Sequence, residues 1–178
     1  MISDEAIIEG CKAGNRLMQK MLFQKYSSTM LGVCMRYSKD KQEAEDIMLE
    51  GFMHILDKIS QFKKEGSFEG WMKRIMVNLA ISNYRKNLKF YYTDNLTDFE
   101  FDSEIASPID NLSIKEILSS LEKLPEGYRI IFNLFIIEGY THHQIANKLA
   151  ISIGTSKSQL SKARKAMQML LLKKENLQ

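Results

Sequence analysis

The chain has 178 residues, of which 44% are hydrophobic and 26% charged, and its net charge is +3. This composition supports a packed core and argues against wholesale disorder. No apolar stretch approaches the ~20 residues that a membrane-spanning helix needs, and the acidic start lacks the basic region of a signal peptide. We therefore expect a cytoplasmic protein without membrane insertion. Cys11 and Cys34 lack the spacing of a metal site, and we expect buried thiols.

The first part of the chain predicts a series of amphipathic helices. Ser3 can cap a short helix that ends near Gly14, and Asn15 can cap a second helix. Apolar residues then recur every three or four positions as far as Met35, which is the stripe of a long helix. A third helix begins at about Asp40. Its predicted inner face consists of Ala44, Ile47, Met48, Phe52, Ile55, Leu56 and Ile59.

A fourth helix follows a loop over residues 63–67. Its apolar positions begin at Phe68 with helical spacing, and we predict that it ends around Asn87. Trp71 falls among these apolar positions, so we assign it to the core rather than to stacking on a base. Four helices with short loops predict a compact bundle.

Charge is distributed unevenly along the chain. Residues 71–92 carry five bases and no acid, and residues 139–174 carry seven bases and no acid. Residues 93–114 carry six acids and no base, lack a lasting periodicity and include Pro108, which is typical of a linker. Two basic segments separated by an acidic one favour two modules that contact one nucleic acid. For either basic run taken alone, a solvated helix face would be the preferred interpretation, and it is the occurrence of two such runs that favours nucleic acid.

The segment after residue 112 predicts a second helical module. Ser113 to Glu116 has the form of a capping box, and Thr141 to Gln144 repeats it. Pro125 suits the first turn of the helix between them. Two short helices then meet at a tight turn, which we expect Ile151 and Ile153 to fill. Basic and hydroxyl side chains on the second helix favour a DNA-binding helix-turn-helix over the alternative, a plain helical hairpin.

These residues resemble a known family. Residues 121–129, 137–146 and 154–158 look like conserved region four of the extracytoplasmic-function (ECF) sigma factors. Residues 43–46 resemble the acidic motif of the polymerase-binding helix in region two. Residues 62–78 resemble the segment that reads and melts the minus-ten promoter element. The motifs occur in the family's order.

The resemblance extends over about residues 15–172, with some departures. Glu43 stands where the family often has Asp, and Gln159 and Ser161 stand where relatives often carry basic or aromatic residues. The sequence preference at the minus-thirty-five element therefore stays open.

The resemblance implies an all-α fold of two small helical domains. A four-helix region 2 domain would span residues 1–92 and a helix-turn-helix region 4 domain residues 113–178, joined by a flexible acidic linker over residues 93–112. The implied function is transcription initiation without catalytic activity, cofactor or metal. The implied partners are core RNA polymerase, duplex and single-stranded promoter DNA, and an anti-sigma factor.

The resemblance and the residue chemistry together assign three sets of candidate site residues. The minus-ten set is Lys63, Lys64, Ser67, Lys73, Arg74, Asn78, Arg85 and Lys86. The minus-thirty-five set is Thr141, His142, His143, Thr155, Ser156, Lys157, Ser158, Ser161, Lys162, Arg164 and Lys165. The polymerase-binding set is Glu43, Glu45, Asp46, Glu50 and Phe52.

Two other functions are weighed against this one. A stand-alone helix-turn-helix regulator would explain the second module but leave the acidic motif and the basic fourth helix unexplained. An enzyme would need a nucleophile elbow, a phosphate loop or a metal motif, and the sequence contains none of these.

Overall fold

The computed structural model describes residues 2–91 and 114–175. All regular structure in these two ranges is helical, which confirms the all-α prediction. Contacts divide the chain into two compact units, Met1–Tyr84 and Arg85–Gln178. The predicted linker and the predicted cap at Ser113 lie outside the described residues.

Eight α-helices make up the described part of the chain. The first unit contains α1 (Asp4–Lys12), α2 (Arg16–Met35), α3 (Lys41–Lys58) and most of α4 (Phe68–Tyr91). The second unit contains α5 (Ile114–Leu121), α6 (Glu126–Phe132), α7 (His142–Leu149) and α8 (Ile153–Glu175). Helix α4 continues past the predicted end at Asn87, because no glycine or proline interrupts its last turns. None of the described helices is long and apolar enough to cross a membrane.

The predicted caps of the first two helices are confirmed, and Asp40 proves to be the cap of the third. Ser3 Oγ accepts a hydrogen bond from the amide of Ala6 at 3.3 Å. Asn15 Oδ1 accepts from the amide of Leu17 at 2.9 Å, and Asp40 Oδ1 accepts from that of Glu43 at 2.8 Å. These side chains satisfy amides that have no partner inside their own helix, which fixes where each helix begins.

An aromatic cluster in the first unit anchors the start of α4. The ring of Trp71 stacks on Phe68 with centroids 5.7 Å apart, and Phe62 lies 5.1 Å from Phe68. The ring of Tyr26 on α2 meets Phe68 edge-on at 6.0 Å. Phe62 and Phe68 are buried and Trp71 is half-buried, so the loop over residues 63–67 is held at both of its ends.

Helix α1 is tied to α2 by a polar contact and by apolar packing. Lys25 Nζ donates to Asp4 Oδ1 at 2.6 Å, and this bond, together with one from Tyr26, holds the pKa of the Asp4 carboxyl below its ordinary value. Cys11 and Cys34 are free and buried, as predicted. Burial raises the pKa of both thiols, that of Cys34 to about 12, so both are kept in the unreactive protonated form.

The core of the second unit packs against α8. One core cluster is formed by Leu121, Leu124, Ala163, Ala166, Met167 and Leu171. Helix α6 begins after Pro125, which is its N-cap, and it continues as a π-helical turn over Asn133–Ile137. The expectation that Ile153 fills the turn before α8 is wrong, because its side chain is 43% exposed, whereas Ile151 is half-buried.

Two helical glycines in the first unit provide a test of this packing. A methyl group at Gly10 would lie 2.8 Å from Met18 Cβ, while one at Gly32 would have no atom within 4 Å. We expect Gly32→Ala to raise the free energy of unfolding by about 0.5–1 kcal/mol through helix propensity. We expect Gly10→Ala to lower it by about 1–3 kcal/mol through overpacking. Urea unfolding followed by the fluorescence of Trp71 measures both, and equal stabilisation by the two variants would contradict the α1–α2 contact.

Candidate nucleic-acid interface

Helix α4 has one apolar face and one basic, solvent-facing side. Met72, Met76 and Ala80 are buried on the inner face. Arg74 and Asn78, one turn apart, are both exposed. A spacing of four residues returns almost to the same side of a helix, so the two side chains lie on one stripe. The same stripe continues through Ser82, Arg85 and Lys86, all of which are exposed.

The other residues predicted for the minus-ten element lie at or before the start of α4. Lys63 is exposed, and Lys64 adopts a left-handed φ of 59° with its ammonium 3.7 Å from Glu5. Lys73 is half-buried and forms an ion pair with Glu69 at 2.6 Å.

The remaining residue of the minus-ten set, Ser67, directly precedes α4. Its hydroxyl accepts a hydrogen bond from the amide of Gly70 at 3.0 Å, and its carbonyl accepts from the amide of Trp71 at 3.1 Å. The hydroxyl thus performs the role of a helix N-cap. Sequence spacing alone did not separate this role from a DNA contact.

A tight turn joins α7 to α8. Ala150 adopts a left-handed conformation with φ 57° and ψ 43°, and the amide of Ile151 donates to the carbonyl of Ala146 at 3.1 Å. Ser152 Oγ then accepts from the amide of Thr155 at 2.9 Å, which starts α8. The capping box at the start of α7 is confirmed, with bonds in both directions between Thr141 and Gln144. The predicted helix-turn-helix is therefore present.

A buried hydroxyl locks the start of α7 to α8. His142 Nδ1 lies 3.0 Å from Ser156 Oγ, and the His142 ring stacks on Phe135 with centroids 4.6 Å apart. Ser156 has no exposed surface, so its assignment as a DNA contact is corrected: it positions α7 instead. The remaining histidine of the pair, His143, is exposed and lies 3.4 Å from the side chain of Asn147.

The outer side of α8 is polar and basic. Its exposed predicted contacts are Lys157, Ser158, Ser161, Arg164 and Lys165. Thr155 and Lys162 are half-buried, and the Thr155 hydroxyl is engaged with Ser152 Oγ at 2.9 Å. The Arg164 guanidinium lies 5.7 Å from the centroid of the Phe135 ring, a cation–π contact. The exposed members recur at three- and four-residue spacing, so one side of α8 offers them together.

The residues predicted to bind polymerase on α3 divide into inward and outward members. Asp46 and Glu50 are exposed, and Glu45 is half-buried beside Lys41 at 3.4 Å. Phe52 is only 5% exposed, with its ring 4.8 Å from that of Phe23. It belongs to the core, so its assignment as a contact residue is corrected.

Glu43 also turns inward. Its Oε1 accepts from Asn83 Nδ2 at 2.7 Å, and its Oε2 accepts from the amide of Lys39 at 2.7 Å. Both carboxylate oxygens are therefore used by bonds within the first unit.

Sequence reasoning missed two exposed apolar residues on α3. Leu49 is 52% exposed and Met53 is 67% exposed. With Asp46 and Glu50 they form a continuous stripe at positions 46, 49, 50 and 53, which we call the α3 stripe. The available signal was their spacing: Leu49 and Met53 lie three and seven residues after Asp46, so they share its side of the helix. Large exposed apolar side chains beside acids are a mark of a protein-binding surface.

The chain is similar to several known proteins. The model of sigma-70 region 2 matches residues 22–89, and that of sigma-70, region 4, matches residues 110–167. The chain is 27% identical over 176 residues to RNA polymerase sigma-H factor of Pseudomonas aeruginosa, covering 92% of this chain and 91% of that protein. It is 29% identical over 154 residues to ECF RNA polymerase sigma factor SigW of Bacillus subtilis, covering 80% and 82%. A solved structure of CnrH in complex with the cytosolic domain of CnrY is 18% identical, with coverage of 94% and 96% and a TM-score of 0.49.

The buried Ser156 hydroxyl provides a test of the α7–α8 lock, with Ser158 as its matched control. Ser156→Ala removes the partner of His142 and should cost about 1 kcal/mol of stability in the second unit. Ser158 is exposed and bonds only to a carbonyl of its own helix, so Ser158→Ala should be close to neutral. Trp71 is the sole tryptophan and lies in the first unit, so its fluorescence reports the unfolding of that unit. Ser156→Ala should therefore lower the unfolding midpoint measured by circular dichroism and leave the midpoint measured by tryptophan fluorescence unchanged. Equal changes in the unfolding midpoint for the two variants would show that the contact between Ser156 and His142 does not stabilise the second unit.

Proposed function

This chain belongs to the sigma-70 family, in its ECF group, and we propose that it is a transcription initiation factor that directs core RNA polymerase to specific promoters. The observation that carries the proposal is the order of its surfaces: an acidic and apolar α3 stripe, a basic α4 side and a basic α8 side, each within a segment that matches the family. A stand-alone regulator would account for α8 alone. We also propose that the protein acts in the cytoplasm and has no catalytic activity of its own.

We propose residues 1–92 as the domain that opens the minus-ten element. Opening requires a base to leave the stack, which costs a few kcal/mol and is offset when a site holds the extruded base. Asn78 carries an amide that can both donate to and accept from a base edge, and it lies on the exposed side of α4. Arg74, Arg85 and Lys86 on the same side would hold phosphates of the separated strand.

We propose residues 113–178 as the domain that reads the minus-thirty-five element, with α8 in the major groove. Lysine and arginine can bond guanine edges, and serine can bond bases or phosphates. Lys157, Ser161 and Lys165 are exposed on the outer side of α8 and are available for these contacts. His143, at the start of α7, would lie near the backbone, where that helix crosses the DNA in a helix-turn-helix.

We propose that core polymerase binds the α3 stripe. Its apolar members, Leu49 and Met53, supply area that loses water on binding, and its acids favour a basic partner surface. An anti-sigma factor that covered the same stripe would exclude polymerase, which is the simplest way for such a partner to hold the protein inactive.

The function is tested by run-off transcription with core polymerase and a matched pair of lysine variants. Wild-type protein should give specific starts that core alone does not give. Lys157→Ala should weaken promoter use by about 1–3 kcal/mol at one base position if it contacts a base edge, or on all sequences alike if it contacts a phosphate. Lys123→Ala removes the same charge from an exposed turn outside the proposed interface and should have no effect. No specific starts with wild-type protein would refute the proposed function.

Base capture is tested separately at Asn78. Asn78→Ala should slow the opening of a duplex promoter. It should leave transcription from a template already unpaired at the minus-ten element unchanged, because only the duplex has bases to unpair. The measurement is the rate of open-complex formation on the two templates. An equal loss on both would mean that Asn78 supports binding and does not capture a base.

A further inference from the structure

The contact between α3 and α4 combines one directional hydrogen bond with the packing of a methionine against a glycine. Asn83 Nδ2 donates to Glu43 Oε1 at 2.7 Å, and both side chains are half-buried. Eight positions further along α3, a methyl group at Gly51 would collide with Met76 Sδ and lie 2.7 Å from its Cε. Residue numbers rise along α3 as they fall along α4, so the two helices run antiparallel through this contact.

Part of the apolar packing behind α4 defines its rotation poorly. Two of its fully buried side chains, Met72 and Met76, are methionines, although Phe68, Val77 and Ile81 are also buried on this helix. Methionine is unbranched and polarisable, so it fills space without specifying one arrangement. A hydrogen bond to a carboxylate is directional and stronger than one between neutral groups. The Glu43–Asn83 bond therefore has the properties needed to fix the rotation and the register of α4.

The acceptor of this bond is itself held firmly. The amide of Glu43 donates to Asp40 Oδ1 at 2.8 Å, and Glu43 Oε2 accepts from the amide of Lys39 at 2.7 Å. Glu43 thus belongs to the N-terminal turn of α3, and the α3 stripe begins with Asp46 on the next turn. The donor, Asn83, lies five residues after Asn78 on α4.

We propose that Glu43 and Asn83 are positioning residues that set the angle at which α4 presents Asn78 to promoter DNA, using the polymerase-binding helix as the reference. Glu43 then acts within the protein and is not a polymerase contact. A rotation of α4 by one residue would turn its outer stripe by about 100°. This inference rests on the proposed function and adds a coupling between its polymerase-binding and promoter-opening surfaces.

The bond can be broken and rebuilt with nearly isosteric changes. Asn83→Asp places a carboxylate against that of Glu43, which removes the donor and adds repulsion. Combining it with Glu43→Gln restores a bond of opposite polarity: the introduced glutamine accepts from the amide of Lys39 through its oxygen and donates to the introduced aspartate through its nitrogen. Asn15→Asp is the matched control: it makes the same exchange at the exposed N-cap of α2, away from α4 and the α3 stripe, and aspartate caps a helix as well as asparagine does.

The experiment measures open-complex formation by core polymerase with each full-length variant on duplex and pre-opened templates, together with affinity for core and thermal unfolding. Asn83→Asp should slow opening of the duplex about tenfold, with less than about twofold change on the pre-opened template and in core affinity. The double variant should recover to within about threefold of wild type, and Asn15→Asp should remain near wild type.

Four results would overturn the inference while wild-type protein remains active. The first three are equal slowing by Asn15→Asp, equal loss on both templates, and failure of the double variant to recover although it folds as stably as wild type. The fourth is a loss that follows the fall in thermal stability across the variants, which would indicate a structural role only. If the wild-type protein opens no promoter, both the proposed function and this inference fail. If the wild-type protein opens promoters and one of the four results is obtained, only this inference fails.

Discussion

A helix that binds a polyanion has to keep cations on its surface, so it must be held in place by something other than salt bridges. This constraint shapes both units of the protein. Helix α4 presents Arg74, Arg85 and Lys86 to solvent, and it is held from behind by buried methionines, by the aromatic cluster around Phe68 and by the neutral donor of Asn83. The ion pair between Lys73 and Glu69 on the same helix involves no member of the outer stripe. The positive potential of that side is thereby available for DNA.

The second unit solves the same problem with a different set of groups. The start of α8 is fixed to α7 through Ser156 and His142, and the His142 ring rests on Phe135. None of these contacts uses an exposed lysine. Because the hydroxyl of Ser156 is buried, the bond is shielded from water and is sensitive to loss of either partner. The outer side of α8 can therefore vary in sequence preference while the frame of the helix-turn-helix stays constant.

Local chemistry made much of the fold predictable. The caps at Ser3 and Asn15 and the capping box at Thr141 depend on side chains and nearby amides, and all three appear as expected. Burial within an amphipathic helix is harder to assign, because adjacent positions differ by only 100° and tertiary contacts decide which is covered. Ser156 was assigned to a contact and is buried, and Phe52 was assigned both to the inner face and to a contact and is buried. Leu49 and Met53 are exposed and were missed. The bond between Glu43 and Asn83 joins residues 40 positions apart, and no local pattern signals it.

The central claim is that two separate basic helix sides contact two separate elements of one promoter. Photo-crosslinking from single sites tests it most directly, with a crosslinking residue placed at Ser82 on α4 or at Ser161 on α8, both exposed. In an open complex with core polymerase, the first site should crosslink to the unpaired minus-ten strand and the second to the minus-thirty-five duplex of the same promoter. Crosslinks from both sites to a single element, or from only one of the two, would contradict the account.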